Sequence, residues 1–262
     1  MVNRTVVLLI LVFLFASNAF AESSRKPLIG INVEASGEDE VARLSLGSEY
    51  IDAVTSAGGI PVLLPPITTL QDVPRHVELC DGFVLTGGKD VNPERYGQQP
   101  CEANTPLLAR REDYDFRLIN EILRSRKPVL AVCLGSQELN VAMGGSLIQD
   151  IASQTSSTID HHRKDTRHET AHTVSIKTGS RLADIVATTT LVVNSVHHQS
   201  CARPGNSVLY LAHAPDGIVE AYELTNYPFA LAVQWHPESL SDRPEQLALY
   251  RALVREAARK RR

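Results

Sequence analysis

Cys133 closes an apolar run, Val129-Leu130-Ala131-Val132, and is followed by Leu134-Gly135-Ser136-Gln137-Glu138-Leu139. That order predicts a strand, a nucleophile on a tight turn and then a helix. Gly135 permits the turn, and the helix aims its positive end at the thiol. The field favours thiolate, and an adjacent imidazole would lower the thiol further from its usual pKa of about 8.5. A buried cysteine packed at a strand end is the other fate open to a lone Cys. A partner is present, however. Val233-Gln234-Trp235-His236-Pro237-Glu238 puts an imidazole after a second apolar run, with an acid two residues on to orient it. Cys133, His236 and Glu238 need no closeness in sequence, because separate strands can deliver them to one sheet edge. Gly87-Gly88, ending a further apolar run, can turn backbone N–H groups towards an oxyanion, with the Leu134 N–H as second donor.

The elements required to bring these groups together are legible. Pro27 to Val33, Ile60 to Leu64, Asp81 to Thr86 and Pro128 to Val132 read as buried strands. Glu49 to Ala57, closed by Gly58-Gly59, and Asp113 to Arg124 read as helices between them. Alternation of this kind predicts an α/β fold with a mostly parallel sheet flanked by helices. Beyond Gly145 the pattern changes to short strands at 173–177, 190–194, 208–212, 218–223 and 230–235, with a terminal helix over 244–258. A β-rich C-terminal half therefore decorates the α/β core. Without repeats or low-complexity tracts, residues 22–262 are expected to form a single domain.

Composition narrows the function classes. At 262 residues, 43% hydrophobic and 21% charged, the chain is of globular type and long enough to bury a core without a disulfide lattice or structural metal. A net charge of −4 without a long basic tract gives no footprint for nucleic acid. The run Arg259, Lys260, Arg261 and Arg262 reads as a solvated helix end. Val6 to Phe15 is apolar but short for a membrane span, and Ala19-Phe20-Ala21 has the small-x-small form of a signal-peptidase site. Residues 1–21 are thus expected to be a signal peptide, with an uncleaved N-terminal anchor as the alternative. The chain would be exported, to the periplasm in a Gram-negative bacterium and otherwise to the exterior or lysosome. Cys80, Cys101 and Cys201 allow at most one disulfide beside a catalytic Cys133, and the pairing stays open.

Taken together, Cys133-Leu134-Gly135-Ser136-Gln137 and His236-Pro237-Glu238 resemble the class I glutamine amidotransferase superfamily. The stretches Asp81 to Pro93 with Tyr96-Gly97, Gly144 to Asp150, Val193 to Gln199, Ala214 to Gly217 with Glu220-Ala221, and Pro228 to Glu238 are similar to its gamma-glutamyl hydrolase branch, especially the gamma-glutamyl-gamma-aminobutyrate hydrolases. The resemblance implies a flavodoxin-like fold and a hydrolase of gamma-glutamyl amide or peptide bonds. Cys133 would form a gamma-glutamyl thioester, His236 would act as acid and base, and Glu238 would fix the ring. It also implies an oxyanion and substrate shell of Gly87, Gly88, Leu134, Gln137, Ser195, His197, His198 and Gln199. The 197–199 segment could equally be an exposed turn after a strand. Leu134 stands where many members of the branch carry Arg, which removes a fixed cation and leaves substrate choice open. A small gamma-glutamyl substrate is the expected partner, with no cofactor and no metal; a homodimer is compatible with the sequence.

One motif competes. His168-Glu169-Thr170-Ala171-His172 matches a zinc peptidase pattern, with His161, His162, His197 or His198 as a third ligand. That chemistry needs both histidines on one helix face. The charged residues before it and the alternation of Thr173 to Lys177 after it predict a polar loop entering a strand instead. Two other functions stand beside the hydrolase: a glutaminase subunit feeding ammonia to a synthase, and a non-catalytic binding module of the same fold.

Overall fold

The computed structural model describes residues 25–38, 41–163 and 166–259. The signal peptide read over 1–21, and Lys260 to Arg262, lie outside these residues. In chain order the elements are β1 (Leu28–Asn32), β2 (Glu34–Ser36), β3 (Arg43–Ser45), α1 (Ser48–Ser56), β4 (Ile60–Leu64), α2 (Val73–Leu79), β5 (Gly82–Leu85), α3 (Ala109–Ser125), β6 (Val129–Val132) and α4 (Leu134–Ala142). They continue with β7 (Leu147–Ile148), α5 (Ile151–Gln154), β8 (His172–Ile176), α6 (Arg181–Val186), β9 (Thr190–Val193), β10 (Ser200–Cys201), β11 (Val208–His213), β12 (Val219–Leu224), β13 (Ala230–Val233) and α7 (Pro244–Arg259).

Nine strands form one sheet in the order β4-β1-β5-β6-β13-β12-β11-β8-β9. From β4 to β13 all pairings are parallel, and from β13 outwards all are antiparallel. The parallel block is covered on both faces, which is why its strands are continuous apolar runs. Ile29, Ile31, Val84, Leu130 and Val132 face α1, α6 and α7. Phe83, Leu85, Val129 and Ala131 alternate to the other face, against α2, α3 and α4. The C-terminal strands extend the same sheet, and β13 returns between β6 and β12. This places the end of β13 beside the end of β6, and with it His236 beside Cys133.

Helix α3 begins four residues before the expected Asp113. Its first turns are polar and still buried, because Arg111 donates to Asp115 at i+4 and pairs with Glu34 of β2. Hydrophobic periodicity does not register such residues. Neither α2 nor the β2–β3 hairpin was anticipated, both being short and rich in polar residues. Cys80, Cys101, Cys133 and Cys201 are all free thiols.

Glu138, on the buried side of α4, has no hydrogen-bond partner for either carboxylate oxygen among the described residues. Burial raises its pKa well above the ordinary carboxylate range, and Asp115 adds to the rise against an opposing pull from Arg111. The unfolded chain releases this proton at lower pH than the folded one, so the group costs increasing stability as pH rises above the normal glutamate range. Glu138→Gln is therefore expected to match the parent below about pH 4 and to exceed it at pH 7. Urea unfolding at the two pH values checks this; equal stability at both would show that the carboxyl is ionised at no cost.

Candidate active site

Cys133 caps α4 with φ +51° and ψ −108°, a backbone conformation that L residues rarely adopt. Its N–H donates to Val233 O at 2.9 Å, while its carbonyl accepts from Ser136 N at 3.0 Å and Gln137 N at 3.2 Å. The sheet thus holds one side of the residue and the helix the other, so the strain of about 1–3 kcal/mol is sustained by both. Gly135 follows with its N–H on Thr86 O at 3.1 Å. A Cβ there would lie 2.6 Å from the Leu85 carbonyl oxygen, so glycine is required by the close approach of α4 to the end of β5.

His236 follows β13 and hydrogen-bonds Cys133 through its ring. Its Nδ1 lies 2.6 Å from Glu238 Oε1. Asn194 clamps its backbone from both directions: Oδ1 accepts from His236 N at 2.8 Å and Nδ2 donates to His236 O at 2.9 Å. Burial alone would lower the imidazole pKa, but the Glu238 carboxylate and Cys133 outweigh it and push His236 up to about 10. The Tyr250 hydroxyl donates to Glu238 Oε2 at 3.5 Å, and the Tyr50 hydroxyl also pairs with this carboxylate. The three groups read from the sequence as nucleophile, acid-base and orienter therefore form one continuous buried chain.

The oxyanion side is narrower than expected. Gly87 N–H is already donated to the Tyr50 hydroxyl at 3.0 Å. Gly88 N–H and Leu134 N–H have no acceptor among the described residues. A Cβ at Gly88 would come within 2.7 Å of Glu34 Oε2 and Leu134 Cδ2 and 2.9 Å of Arg111 Nη1, so any larger residue would have to displace these side-chain ends. Arg111 braces this turn from beneath, donating to Thr86 Oγ1 at 3.1 Å and Gly87 O at 3.2 Å.

Cys133 opens into a cavity of about 530 Å³ whose wall includes Gly88, Gln137, His197, His198 and Gln199. His198 Nε2 lies 3.0 Å from Asp90 Oδ1 and its Nδ1 3.4 Å from Asp150 Oδ1. Those hydrogen bonds raise its pKa against the effect of burial. Gln137 and Gln199 commit their amide N–H groups to the protein: Gln137 Nε2 donates to Gln199 O at 3.4 Å and to Gln234 Oε1 at 3.3 Å, and Gln199 Nε2 donates to Gln149 O at 2.9 Å. Ser195 does not reach the cavity. Its hydroxyl is buried among His161, His172 and His197, and burial pushes His197 down to about 4. Lys89 and Arg167 also line the wall and supply the cations that Leu134, buried at 1% exposure, does not. Arg167 lies in the polar stretch before β8, and Tyr50, Arg111 and Asn194 carry no local sequence signal of a site role, because their roles arise from contacts distant in sequence.

A second cavity, of about 480 Å³, is lined by Arg181, Phe229 and Arg255 and carries no nucleophile. The zinc-peptidase pattern does not form a helix. His168 lies on an exposed turn, and His172 opens β8.

Residues 27–238 match the model of the family described as Peptidase C26. The chain is 33% identical over 225 residues to the gamma-glutamyl-gamma-aminobutyrate hydrolase of Escherichia coli K12, covering 81% of this chain and 85% of that protein. Among solved structures, the glutaminase domain of Trypanosoma brucei CTPS, with bound acivicin, superposes with a TM-score of 0.56 at 17% identity, covering 89% of this chain and 94% of that one. A glutamine amidotransferase from Thermotoga maritima superposes with a TM-score of 0.55 at 17% identity, covering 90% and 98%. The last two carry the fold alone.

Proposed function

The chain belongs to the peptidase C26 family, and from that premise we propose that it is a gamma-glutamyl hydrolase working through Cys133. The observation that carries the reading is the buried Cys133–His236–Glu238 chain opening on a polar cavity. Cys133 Sγ attacks the gamma-carbonyl carbon, forming a C–S bond while the carbonyl electron pair moves to oxygen. The Gly88 and Leu134 N–H groups receive that oxyanion. Collapse of the intermediate breaks the C–N bond as His236 gives its proton to the leaving amine. A water molecule then loses a proton to His236 and attacks the thioester, the C–S bond breaks, and glutamate leaves with the thiolate restored.

The cavity wall suits the other end of a glutamyl group. Lys89 and Arg167 offer cations for an alpha-carboxylate, and Asp90 and Asp150 offer anions for an alpha-ammonium. The N-terminal segment extends the proposal to an exported enzyme, which an N-terminus at Glu22 in the purified native protein would establish.

Glutamate release from a panel of gamma-glutamyl amines, gamma-glutamyl dipeptides, polyglutamates and glutamine tests the reading. Turnover of the amines and dipeptides above glutamine is expected. Glutamine turnover alone would favour the glutaminase function, and inactivity on the whole panel would sink the hydrolase.

The pH profile has a direction. His236 must carry the proton that the leaving amine takes, and it holds it up to about pH 10. On an uncharged-leaving-group substrate, kcat/KM is expected to stay high through neutral pH and to fall as pH rises through about 10. A decline centred near pH 7 would contradict this assignment.

A further inference from the structure

Beneath the cavity, four side chains outside the Cys133 chain converge on one point. His161, His172, His197 and Glu220 place one ligand-capable atom each within 4.8 Å of one another. Each imidazole nitrogen that faces inward, His161 Nδ1, His172 Nε2 and His197 Nε2, lies 3.5 Å from Glu220 Oε1. That is too long for a good hydrogen bond, and Glu220, with 0% exposure, accepts none at either oxygen among the described residues. For these three edges the separation is instead close to that of a tetrahedron whose centre-to-ligand bonds are about 2.0–2.1 Å, about 3.3–3.4 Å, and the remaining edges, within 4.8 Å, would draw in on an ion.

The outer nitrogens are fixed as metal-ligating histidines require. His161 Nε2 bonds Asp216 Oδ2 at 2.9 Å, His197 Nδ1 bonds Gln199 O at 2.9 Å, and His172 Nδ1 bonds Thr173 O at 3.2 Å. With these acceptors the outer nitrogens carry the protons, which leaves three lone pairs aimed inward at an unpartnered carboxylate. The Ser195 hydroxyl touches the same three nitrogens at 3.0, 3.1 and 3.2 Å. Its single proton can serve only one of the three lone pairs at a time. A divalent cation would satisfy all four inward atoms, and Asp216 together with Glu220 would balance its charge.

We propose that His161, His172, His197 and Glu220 form a closed, structural Zn²⁺ site. Three imidazoles and one carboxylate are a borderline donor set that suits zinc in four-coordination. The site joins β8 and β12 of the antiparallel extension to the 155–163 and 194–199 segments. Its function is to pin the loop on which His197 is held inside and His198 is presented to the cavity. This departs from the sequence reading, which assigned no metal, and it does not depend on the hydrolase proposal.

The test uses tag-free full-length protein carrying Cys133→Ala, so that the active site offers no competing sulfur ligand. After chelator treatment, Zn²⁺ is titrated against a chromogenic chelator, and Co²⁺ is added separately to read coordination from its visible spectrum. One equivalent of Zn²⁺, a rise in melting temperature on binding, and the intense bands of four-coordinate cobalt are expected. Adding Glu220→Gln, which keeps shape, or His172→Ala should weaken binding by at least 100-fold. Failure of the Cys133→Ala protein to bind Zn²⁺ would overturn the proposal and leave the cluster as a hydrogen-bonded hub around Ser195. Undiminished binding by both ligand variants would overturn it too, by locating the ion elsewhere. Should His172→Ala fail to fold, Glu220→Gln and the cobalt spectrum still decide the matter.

Discussion

Cys133→Ala is expected to lower kcat for gamma-glutamyl hydrolysis by about 10⁴-fold or more, with the folded state retained. The whole covalent route passes through Sγ. What remains is the oxyanion site and binding, which in comparable triads leave only a small residual rate over water. The alanine can adopt the site without new contacts, since it removes a sulfur rather than adding atoms. The backbone strain at φ +51° persists. Glu238→Gln should fall between the two. It keeps a hydrogen bond to His236 Nδ1 but removes the charge that lifts the imidazole, so the alkaline limb of the profile moves down in pH. Steady-state rates of the parent and both variants check this. A Cys133→Ala protein with a tenth of parental activity would exclude a thioester on this residue.

The second large effect is on stability. Arg111 is fully buried and donates to Asp115 at 2.9 Å, to Glu34, to Thr86 Oγ1 and to Gly87 O. Arg111→Met leaves the buried Asp115 and the partly buried Glu34 without their counter-charge, and is expected to destabilise the fold by about 3–5 kcal/mol. Arg111→Lys should recover little, because one ammonium cannot reproduce a fork that reaches four acceptors in two directions. Adding Asp115→Leu to Arg111→Met should restore part of the loss, since the uncompensated charge is the larger penalty. Urea unfolding of the set measures it; a loss below about 1 kcal/mol for Arg111→Met would mean that water reaches the carboxylates. Because the same guanidinium holds the Thr86-Gly87 turn, the surviving fraction of Arg111→Met should also turn over more slowly.

The sequence by itself determined those features whose cause is local. Val129 to Gln137 specifies strand, strained nucleophile and helix within nine residues, and the apolar runs of β1, β4, β5 and β6 announce a sheet buried on both faces. The pairing of His236 with Glu238 is likewise written into positions two residues apart. The family resemblance came from the same short stretches. Tertiary structure decided everything that depends on which distant elements meet. That Gly87 N–H is consumed by Tyr50 follows from α1 packing against the end of β5. That Ser195 turns inward while His198, three residues on, faces the cavity follows from the contacts of the 194–199 segment with β8 and β12. Polar residues such as Arg111, Glu220 and His161 carry no hydrophobic period, so nothing along the chain marks them as buried. Their burial becomes favourable only when partners tens of residues away arrive to satisfy them, a condition set by the assembled sheet rather than by any one of its strands.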